Sequence, residues 1–193
     1  MTGRKIFHSV KPLLSLFSII FFILPRAVCE FLWVVTNLLP SFIGIPFRFL
    51  IAKRLCKSIG ESVYFGRYIT IKNWSKLKIG DNCSFHEYCY IDALGGIEIG
   101  NNVSIAHNCS IVSFNHTWHD ETLFIKYNKI LCSQITIDSD VWLGAGVRML
   151  SGSQLRSRTV VAAASVVNKK YDCSGVMIGG VPSKIIKRLD DES

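Results

Sequence analysis

The chain has 193 residues and a formal net charge of +8, with 49% hydrophobic and 19% charged residues. This length suits one domain with its own core plus an appendage, and the composition is too apolar for a disordered chain. The basic excess lies in residues 1–57, which contain one acidic residue, Glu30, and eight basic residues: Arg4, Lys5, Lys11, Arg26, Arg48, Lys53, Arg54 and Lys57. Because this is also the most apolar segment, the charge favours an anionic membrane surface over nucleic acid.

The N-terminal segment is predicted to be helical and apolar. Residues 13–24 (LLSLFSIIFFIL) carry no charge and would span roughly 18 Å as a helix, which is shorter than a bilayer core of about 30 Å. A second charge-free stretch, residues 31–47, is interrupted by two prolines and a glycine. Pro46 fits the first turn of a helix, FRFLIAKRLCK, with basic residues beside an apolar face. Residues 1–57 are therefore predicted to attach to a membrane without crossing it; the alternative is an apolar lid packed on a partner subunit.

From residue 59 onward an apolar residue recurs every six positions. The series forms five groups of three: Ile59, Phe65, Ile71; Ile79, Phe85, Ile91; Ile99, Ile105, Ile111; Ile137, Leu143, Met149; and Leu155, Val161, Val167. A period of six excludes an α-helix, whose apolar stripe has a period near 3.6. It predicts a parallel β-helix with three short faces per coil, in which each coil buries its apolar side against its neighbours.

The seven cysteines of the chain include no CxxC pair. Cys83, Cys89 and Cys109 recur four residues after an apolar position of the repeat, where small residues are usual. This placement predicts small buried core residues in a reducing compartment, rather than a disulfide framework or a zinc site.

The repeat resembles the hexapeptide-repeat family of acyltransferases over roughly residues 59–189, through the motifs IGDNCS, IGNNVSIAHNCSI, VWLGAGVRML and GGVPSKIIKR. The resemblance implies an all-β, left-handed parallel β-helix that assembles as a homotrimer with active sites between subunits, uses acetyl-CoA as the acyl donor, and needs no metal. Within the family the chain is similar to sugar O-acetyltransferases, including maltose and galactoside acetyltransferases and those of capsule or O-antigen synthesis. The expected parts are a membrane-associating helical segment (1–57), the catalytic β-helix (58–171), and a C-terminal turn, helix and tail (172–193).

The repeat breaks off over about residues 112–136, and the stretch SFNHTWHD (113–120) stands at the start of this excursion. The excursion keeps several large apolar side chains, which favours an ordered functional loop over disorder. Transfer of an acyl group from a thioester to a hydroxyl needs a base, and histidine suits that role because it titrates near neutrality. His86 and His107 follow buried repeat positions closely, so both are predicted to point outward from the coils.

The resemblance assigns roles to several residues near the excursion. In the family the catalytic histidine follows the IG of the preceding motif at a fixed spacing, and the same spacing counted from Ile99 falls on His116. His116 is therefore the expected general base, with His119 as the second candidate. Asp92 stands where related enzymes carry an acceptor-binding Asn or Asp, and a carboxylate there could hold a sugar hydroxyl near His116. The expected acceptor pocket is completed by Asn115, Trp118 and His119.

Coenzyme A needs a long channel, backbone groups for its pantetheine amides, and cations for its phosphates. By resemblance, the expected channel residues are Trp142, Gly144, Ala145, Ala163, Ala164, Lys184 and Lys187. Small residues let the backbone approach the ligand, and lysines bind phosphate by charge. Pro182 in GGVPSKIIKR predicts the start of a short C-terminal helix.

The sequence thus predicts a coenzyme A-dependent O-acetyltransferase that acts on a sugar hydroxyl of a capsule, O-antigen or exopolysaccharide precursor by direct attack on the thioester. Three alternatives remain: an antibiotic or small-molecule acetyltransferase of the same fold, a γ-type carbonic anhydrase, and a non-enzymatic β-helix scaffold. The expected location is the cytoplasm, at the inner face of the plasma membrane.

Overall fold

The computed structural model describes residues 21–191, in which two helices are followed by a parallel β-helix. Helix α1 spans Arg26–Val35 and helix α2 spans Ser41–Leu55, joined by a 3-10 turn at Thr36–Leu38. Most of the apolar run 13–24 lies outside the described residues. Within the described part of the chain, no helix is both long and apolar enough to cross a bilayer.

The β-helix is a prism of three sheets whose strands pair in parallel, apart from the last strand of the second sheet. The first sheet contains β1 (Ser58–Ile59), β4 (Leu77–Ile79), β7 (Ile97–Ile99), β12 (Ile135–Ile137) and β15 (Gln154–Leu155). The second contains β2 (Tyr64–Phe65), β5 (Ser84–Phe85), β8 (Ser104–Ile105), β13 (Val141–Leu143), β16 (Thr159–Val161), β18 (Val176–Gly180) and β19 (Ser183–Arg188). The third contains β3 (Thr70–Lys72), β6 (Tyr90–Asp92), β9 (Ser110–Val112), β14 (Arg148–Met149) and β17 (Val166–Val167). A separate hairpin consists of β10 (Phe114–His116) and β11 (Ile130–Cys132).

The six-residue repeat is confirmed, because each group of three places one apolar residue on each sheet. In the third coil, for example, Ile99, Ile105 and Ile111 lie on the first, second and third sheets and are each at most 4% exposed. All fifteen repeat positions face the interior, and all but the half-buried Ile59 are buried. The predicted left-handed β-helix is therefore the fold of this chain.

The two N-terminal helices close the open end of the β-helix and share its core. The inner side of α2 buries Phe49, Leu50 and Leu55 in the same apolar cluster as the first coil. Trp33 of α1 packs edge-on against Phe65, with ring centroids 5.4 Å apart. One side of residues 26–55 is thus packed on the chain's own β-helix, and the other side is exposed in the single chain.

The predicted start of the second helix is wrong. Helix α2 begins at Ser41, so Pro46 lies inside it rather than in its first turn. The carbonyl of Pro40 accepts hydrogen bonds from the amides of Ile43 and Gly44, at 3.0 and 2.7 Å, and these bonds begin the helix earlier. Pro46 costs the helix one internal hydrogen bond, because its nitrogen has no proton to donate.

The predicted C-terminal helix is also wrong. The segment after β18 turns at Val181 and Pro182 and returns as the antiparallel strand β19. Strand β18 would otherwise leave unpaired amides and carbonyls at the end of the second sheet, and β19 satisfies them. The β-branched residues Ile185 and Ile186 suit a strand. Helical structure in this segment is limited to a 3-10 turn at Leu189–Asp191.

The cysteine prediction is confirmed for the three repeat positions. Cys83, Cys89 and Cys109 are each 1% exposed, and all seven cysteines are free. Burial raises the pKa of the Cys83 thiol, which keeps it protonated and inert.

Candidate active site

The excursion from the repeat is a β-hairpin rooted at the corner between the third and first sheets. Strands β10 and β11 pair antiparallel, with Phe114 opposite Cys132 and His116 opposite Ile130. At the root, the amide of Ser133 donates to the carbonyl of Ser113 at 3.1 Å. A Cβ at Gly95 would lie 2.2 Å from that same carbonyl. The corner therefore needs a glycine so that the hairpin can leave the coil.

The loop between the two hairpin strands is held by its own polar side chains. The Asn128 side-chain amide donates to the carbonyls of Asp120, Leu123 and Phe124 at 3.1–3.3 Å, and its Oδ1 accepts from the Asp120 amide at 3.0 Å. Thr117 Oγ1 adds a hydrogen bond of 2.8 Å to the carbonyl of Lys129. The loop thus has a defined shape, as its apolar content predicts.

His116 is exposed at the end of β10, on the face of the hairpin that also carries Phe114. The two rings lie edge-to-face with centroids 6.2 Å apart. Trp118 is 65% exposed, and its ring lies 5.5 Å from that of His119. Successive strand residues point to opposite faces, so Asn115 points away from the face of His116. The structure therefore displays all four predicted residues on one hairpin, but Asn115 is directed away from the base.

Asp92 is buried beneath the root of the hairpin, and its carboxylate is hydrogen-bonded to neighbouring groups. It is 5% exposed, and its Oδ1 accepts hydrogen bonds from Asn73 Nδ2 at 2.7 Å and from the Leu94 amide at 3.2 Å. Its backbone carbonyl accepts from the amide and the hydroxyl of Ser113, at 3.1 and 2.9 Å. Asp92 thus supports the hairpin root from one coil below. Asn73 and Ser113 were not predicted from the sequence, although the position of Ser113 at the start of the excursion was a usable signal.

The predicted coenzyme A residues lie on the second sheet and along one of its edges. Strand register aligns Trp142 with Val160, then with Met177, and finally with Lys187 on β19. Adjacent strands are about 4.8 Å apart, so this row is roughly 14 Å long. Trp142 is 53% exposed at one end of the row, and a lysine stands at the other. An extended ligand with an anionic end could follow the row along the prism.

The predicted small residues form the corner between the second and third sheets. The Ala164 amide donates to the carbonyl of Ala145 at 2.8 Å, so the two alanines stack on neighbouring coils. A Cβ on Gly144 would lie 2.7 Å from the Ala163 nitrogen, which explains the glycine by coil stacking. Ala163 and Ala164 are exposed, and with only methyl side chains they leave backbone within reach of a ligand. Lys184 is exposed on β19, opposite Gly179.

A single chain does not bring the predicted base and the predicted coenzyme A residues together. His116 stands at the corner between the third and first sheets, whereas Ala145 and Ala164 stand at the corner between the second and third. The third sheet separates the two corners, and a face of five or six extended residues spans roughly 15–20 Å. Each chain therefore carries the two halves of the predicted site at opposite edges of one face.

The histidines of the described residues are not clustered for metal ligation. Within residues 21–191, no cluster of three or more His, Cys, Asp or Glu side chains could hold a metal ion. His86 and His107 are exposed on the coils, as predicted, and His86 Nδ1 lies 4.0 Å from a Glu87 carboxylate oxygen.

Comparison with known proteins gives several relatives, although no family model matches the chain. A probable acetyltransferase of Mycobacterium tuberculosis is 32% identical over 128 residues, which cover 66% of this chain and 36% of that protein. Galactoside O-acetyltransferase of Escherichia coli is 27% identical over 139 residues, which cover 72% of this chain and 67% of that protein. The crystal structure of a hexapeptide-repeat acetyltransferase of Vibrio cholerae with acetyl coenzyme A has a TM-score of 0.73 at 23% identity, and it covers 85% of this chain and 86% of that one. Several curated relatives match over only 24–36% of their own length.

Three-sided coils with a six-residue apolar period, interrupted by one hairpin after the third coil, define a left-handed β-helix of hexapeptide repeats. The similarities in sequence and in structure agree with that class. The chain has the fold of the hexapeptide-repeat acetyltransferases, and it is similar in sequence to acetyltransferases that include the two named above.

Proposed function

We propose that this protein is an acetyl-CoA-dependent O-acetyltransferase that modifies a sugar hydroxyl, with His116 as the general base. The observation that carries the proposal is the exposed His116 on an ordered hairpin that leaves the coils at one corner. The galactoside O-acetyltransferase of Escherichia coli supports a sugar acceptor. The Vibrio cholerae enzyme of the same fold, with its bound acetyl coenzyme A, supports the donor.

The proposed reaction is a direct transfer in one attack. His116 removes the proton of the sugar hydroxyl while the hydroxyl oxygen attacks the thioester carbonyl. The new C–O bond forms, the C–S bond breaks, and the proton passes from His116 to the leaving thiolate of coenzyme A. In this proposal the Ala145 amide at the alanine corner stabilises charge on the thioester oxygen. Trp118 and His119 form the wall of the acceptor pocket.

We propose that the complete site forms between subunits of a homotrimer. The two halves of the site lie at opposite edges of the third sheet, so a neighbouring copy can supply the alanine corner to the hairpin of the first. The hairpin also exposes large apolar side chains that a neighbour would cover: Trp118, Phe124, Ile125, Tyr127 and Leu131 are 57–81% exposed. Lys184 and Lys187 would then hold the phosphates of coenzyme A at the far end of the channel.

The acceptor is proposed to be a lipid-linked precursor of a capsule, O-antigen or exopolysaccharide, met at the inner face of the plasma membrane. The support is the outer side of the N-terminal helices, where Phe31, Leu38 and Phe42 are 66–81% exposed. An apolar helical surface next to basic residues suits an interfacial position on an anionic membrane. In this proposal residues 1–57 are the membrane-associating segment of a cytoplasmic enzyme.

The test is release of free thiol from acetyl-CoA with a panel of sugars as acceptors. His116→Ala is expected to lower kcat by about 10²–10⁴-fold, the usual contribution of a positioned general base, while coenzyme A binding is retained. His119→Ala is the matched control, and it should change mainly the KM for the acceptor. Full activity of His116→Ala would refute the assignment of the base. A wild-type protein with no turnover and no binding of coenzyme A would favour the non-enzymatic scaffold.

A further inference from the structure

A groove of about 680 Å³ separates helix α1 from the outer side of the third sheet. We call it the α1 groove. Its polar and aromatic lining includes Glu30 and Trp33 of α1, Tyr68, Lys72, Asn73 and Trp74. None of these residues belongs to the site proposed above.

The lining of the α1 groove combines aromatic rings with hydrogen-bonding groups. Trp33 and Trp74 meet edge-to-face at 4.8 Å and lie beneath the groove, each only 5% exposed. At the rim, Tyr68 stacks on Tyr88 with ring centroids 5.2 Å apart, and both rings are exposed. Sugar rings present C–H faces that pack on aromatic rings, while their hydroxyls pair with carboxylates, amides and ammonium groups. A largely apolar wall with a few polar groups is typical of a binding site in which the polar groups fix the orientation of the ligand.

The α1 groove lies on the same prism edge as the hairpin. Strand register places Lys72 beneath Asp92 and Asp92 beneath Val112, at the ends of three stacked strands. Two coil steps separate Lys72 from Val112, a distance of about 10 Å. The hydrogen bonds from Asn73 to Asp92, and from Ser113 to Asp92, connect the groove to the hairpin root.

At its other end the α1 groove opens beside the exposed apolar side of α1. Val34 lines the groove and is 63% exposed, and Phe31, on the same helix, is 66% exposed. A ligand that follows the groove would therefore extend from the apolar helix surface toward the hairpin that carries His116.

We propose that the α1 groove is a second carbohydrate-binding subsite that holds non-reacting sugar units of an oligosaccharide acceptor. The groove would take the part of the glycan nearer its lipid, and the unit to be acetylated would lie about two coils away, beside His116. This inference rests on the proposed acetyltransferase function and adds a length requirement to its acceptor. A monosaccharide would reach His116 without touching the groove.

The experiment compares a variant that blocks the groove with one that leaves it open. Thr70 is exposed within the groove on strand β3, and Thr70→Trp would fill it with a residue that suits strands. Ser75 is exposed just beyond the groove lining, so Ser75→Trp is the matched control. A second test variant, Glu30→Ala with Lys72→Ala, removes two charged groups without filling the space.

The probes are monosaccharides and tetrasaccharides that end in galactose, glucose or N-acetylglucosamine. For tetrasaccharides, Thr70→Trp and the double variant are expected to raise KM by about tenfold, the effect of losing roughly 1.4 kcal/mol of binding. Monosaccharide kinetics and all kinetics of Ser75→Trp should stay unchanged. A KM change that is equal for both acceptor lengths, or absent for both, would overturn the subsite while leaving the acetyltransferase in place.

A direct binding measurement separates this inference from the proposed function. Titration calorimetry with the same tetrasaccharides should show binding to the wild-type protein and to Ser75→Trp, and weaker binding to Thr70→Trp. If no acetyl transfer occurs with any sugar but this binding pattern holds, the function fails and the subsite stands. If no tetrasaccharide binds the wild-type protein, the subsite is wrong.

Discussion

At the scale of single residues, substitutions of Asp92 distinguish a structural role of its carboxylate from a role in binding the sugar. Asp92→Ala would leave Asn73 and the Leu94 amide without their acceptor, which should cost about 1–3 kcal/mol of unfolding free energy. Asp92→Asn keeps an acceptor oxygen and should cost less. Urea unfolding followed by circular dichroism measures both. Unchanged unfolding together with a large rise in acceptor KM would instead restore Asp92 as a ligand of the sugar.

The exposure of His116 could be predicted from the sequence, whereas the burial of Asp92 could not. His116 stands where the repeat stops, and a residue outside the repeat has no core position to fill. Asp92 follows a buried repeat position in the same way as the exposed His86 does. Its burial depends on Asn73, which lies nineteen positions earlier and one coil below. Such a contact is set by coil register and by corner shape, and neither can be read from a local stretch of sequence.

At the scale of elements, Arg48 fixes helix α2 to the first coil. Its side chain is 1% exposed, with Nε donating to the Phe65 carbonyl at 2.8 Å and one terminal nitrogen donating to the Thr36 carbonyl at 2.9 Å. A Cβ on Gly44 would lie 2.5 Å from that guanidinium, so the glycine makes room for it. Burial lowers the pKa of Arg48 from its ordinary value. The guanidinium therefore stabilises the junction through backbone carbonyls.

Arg48→Ala is expected to destabilise the protein by about 2–4 kcal/mol, because it removes the hydrogen bonds to the Phe65 and Thr36 carbonyls and leaves a cavity beneath α2. The Thr36 carbonyl keeps its hydrogen bond from the Leu39 amide, so the loss falls mainly on Phe65. Arg48→Met fills the cavity without a charge and should cost less, since apolar replacements of buried ions are often tolerated. Lys57→Ala, at an exposed cation just after α2, is the control and should stay within about 0.5 kcal/mol. Thermal unfolding measures all three. Equal loss in the alanine and methionine variants would show that the hydrogen bonds dominate.

The β-helix could be predicted because a period of six is a property of the sequence itself. The two ends of the domain were harder to predict, because their structure depends on which backbone groups the coils leave unpaired. Strand β19 forms because β18 presents an open sheet edge, and the same SKIIKR segment after a proline is equally compatible with a helix. Helix α2 begins at Ser41 because its first turn is built on the Pro40 carbonyl, which the apolar pattern does not reveal.

At the scale of the whole molecule, residues 21–191 expose apolar side chains both on the hairpin and on the N-terminal helices. The hairpin surface includes Trp118, Phe124 and Ile125, and the helix surface includes Phe31, Leu38 and Phe42. The hairpin carries the proposed base, so its surface is assigned to the neighbouring subunit. The helix surface lies at the closed end of the prism, so stacking a neighbour alongside the prism would leave it uncovered.

This division predicts different consequences for two matched triple variants. Changing Phe31, Leu38 and Phe42 to serine should weaken binding to phosphatidylglycerol-containing vesicles by on the order of 100-fold, because each lost side chain removes kcal/mol-scale apolar burial. Changing Trp118, Phe124 and Ile125 to serine should leave vesicle binding intact and disrupt the proposed trimer. Vesicle co-sedimentation and light scattering after gel filtration measure the two effects.

Salt dependence then distinguishes insertion of the helix surface from charge attraction alone. High salt should weaken vesicle binding of the wild-type protein only in part, because the basic residues are screened while apolar contacts are not. Complete loss of binding in salt, with the helix variant unaffected in low salt, would assign attachment to the basic residues alone. The opposite result would be a helix variant that loses its oligomeric state but binds vesicles as well as the wild-type protein does. In that case the helices pack on a partner subunit, which is the alternative that the sequence leaves open.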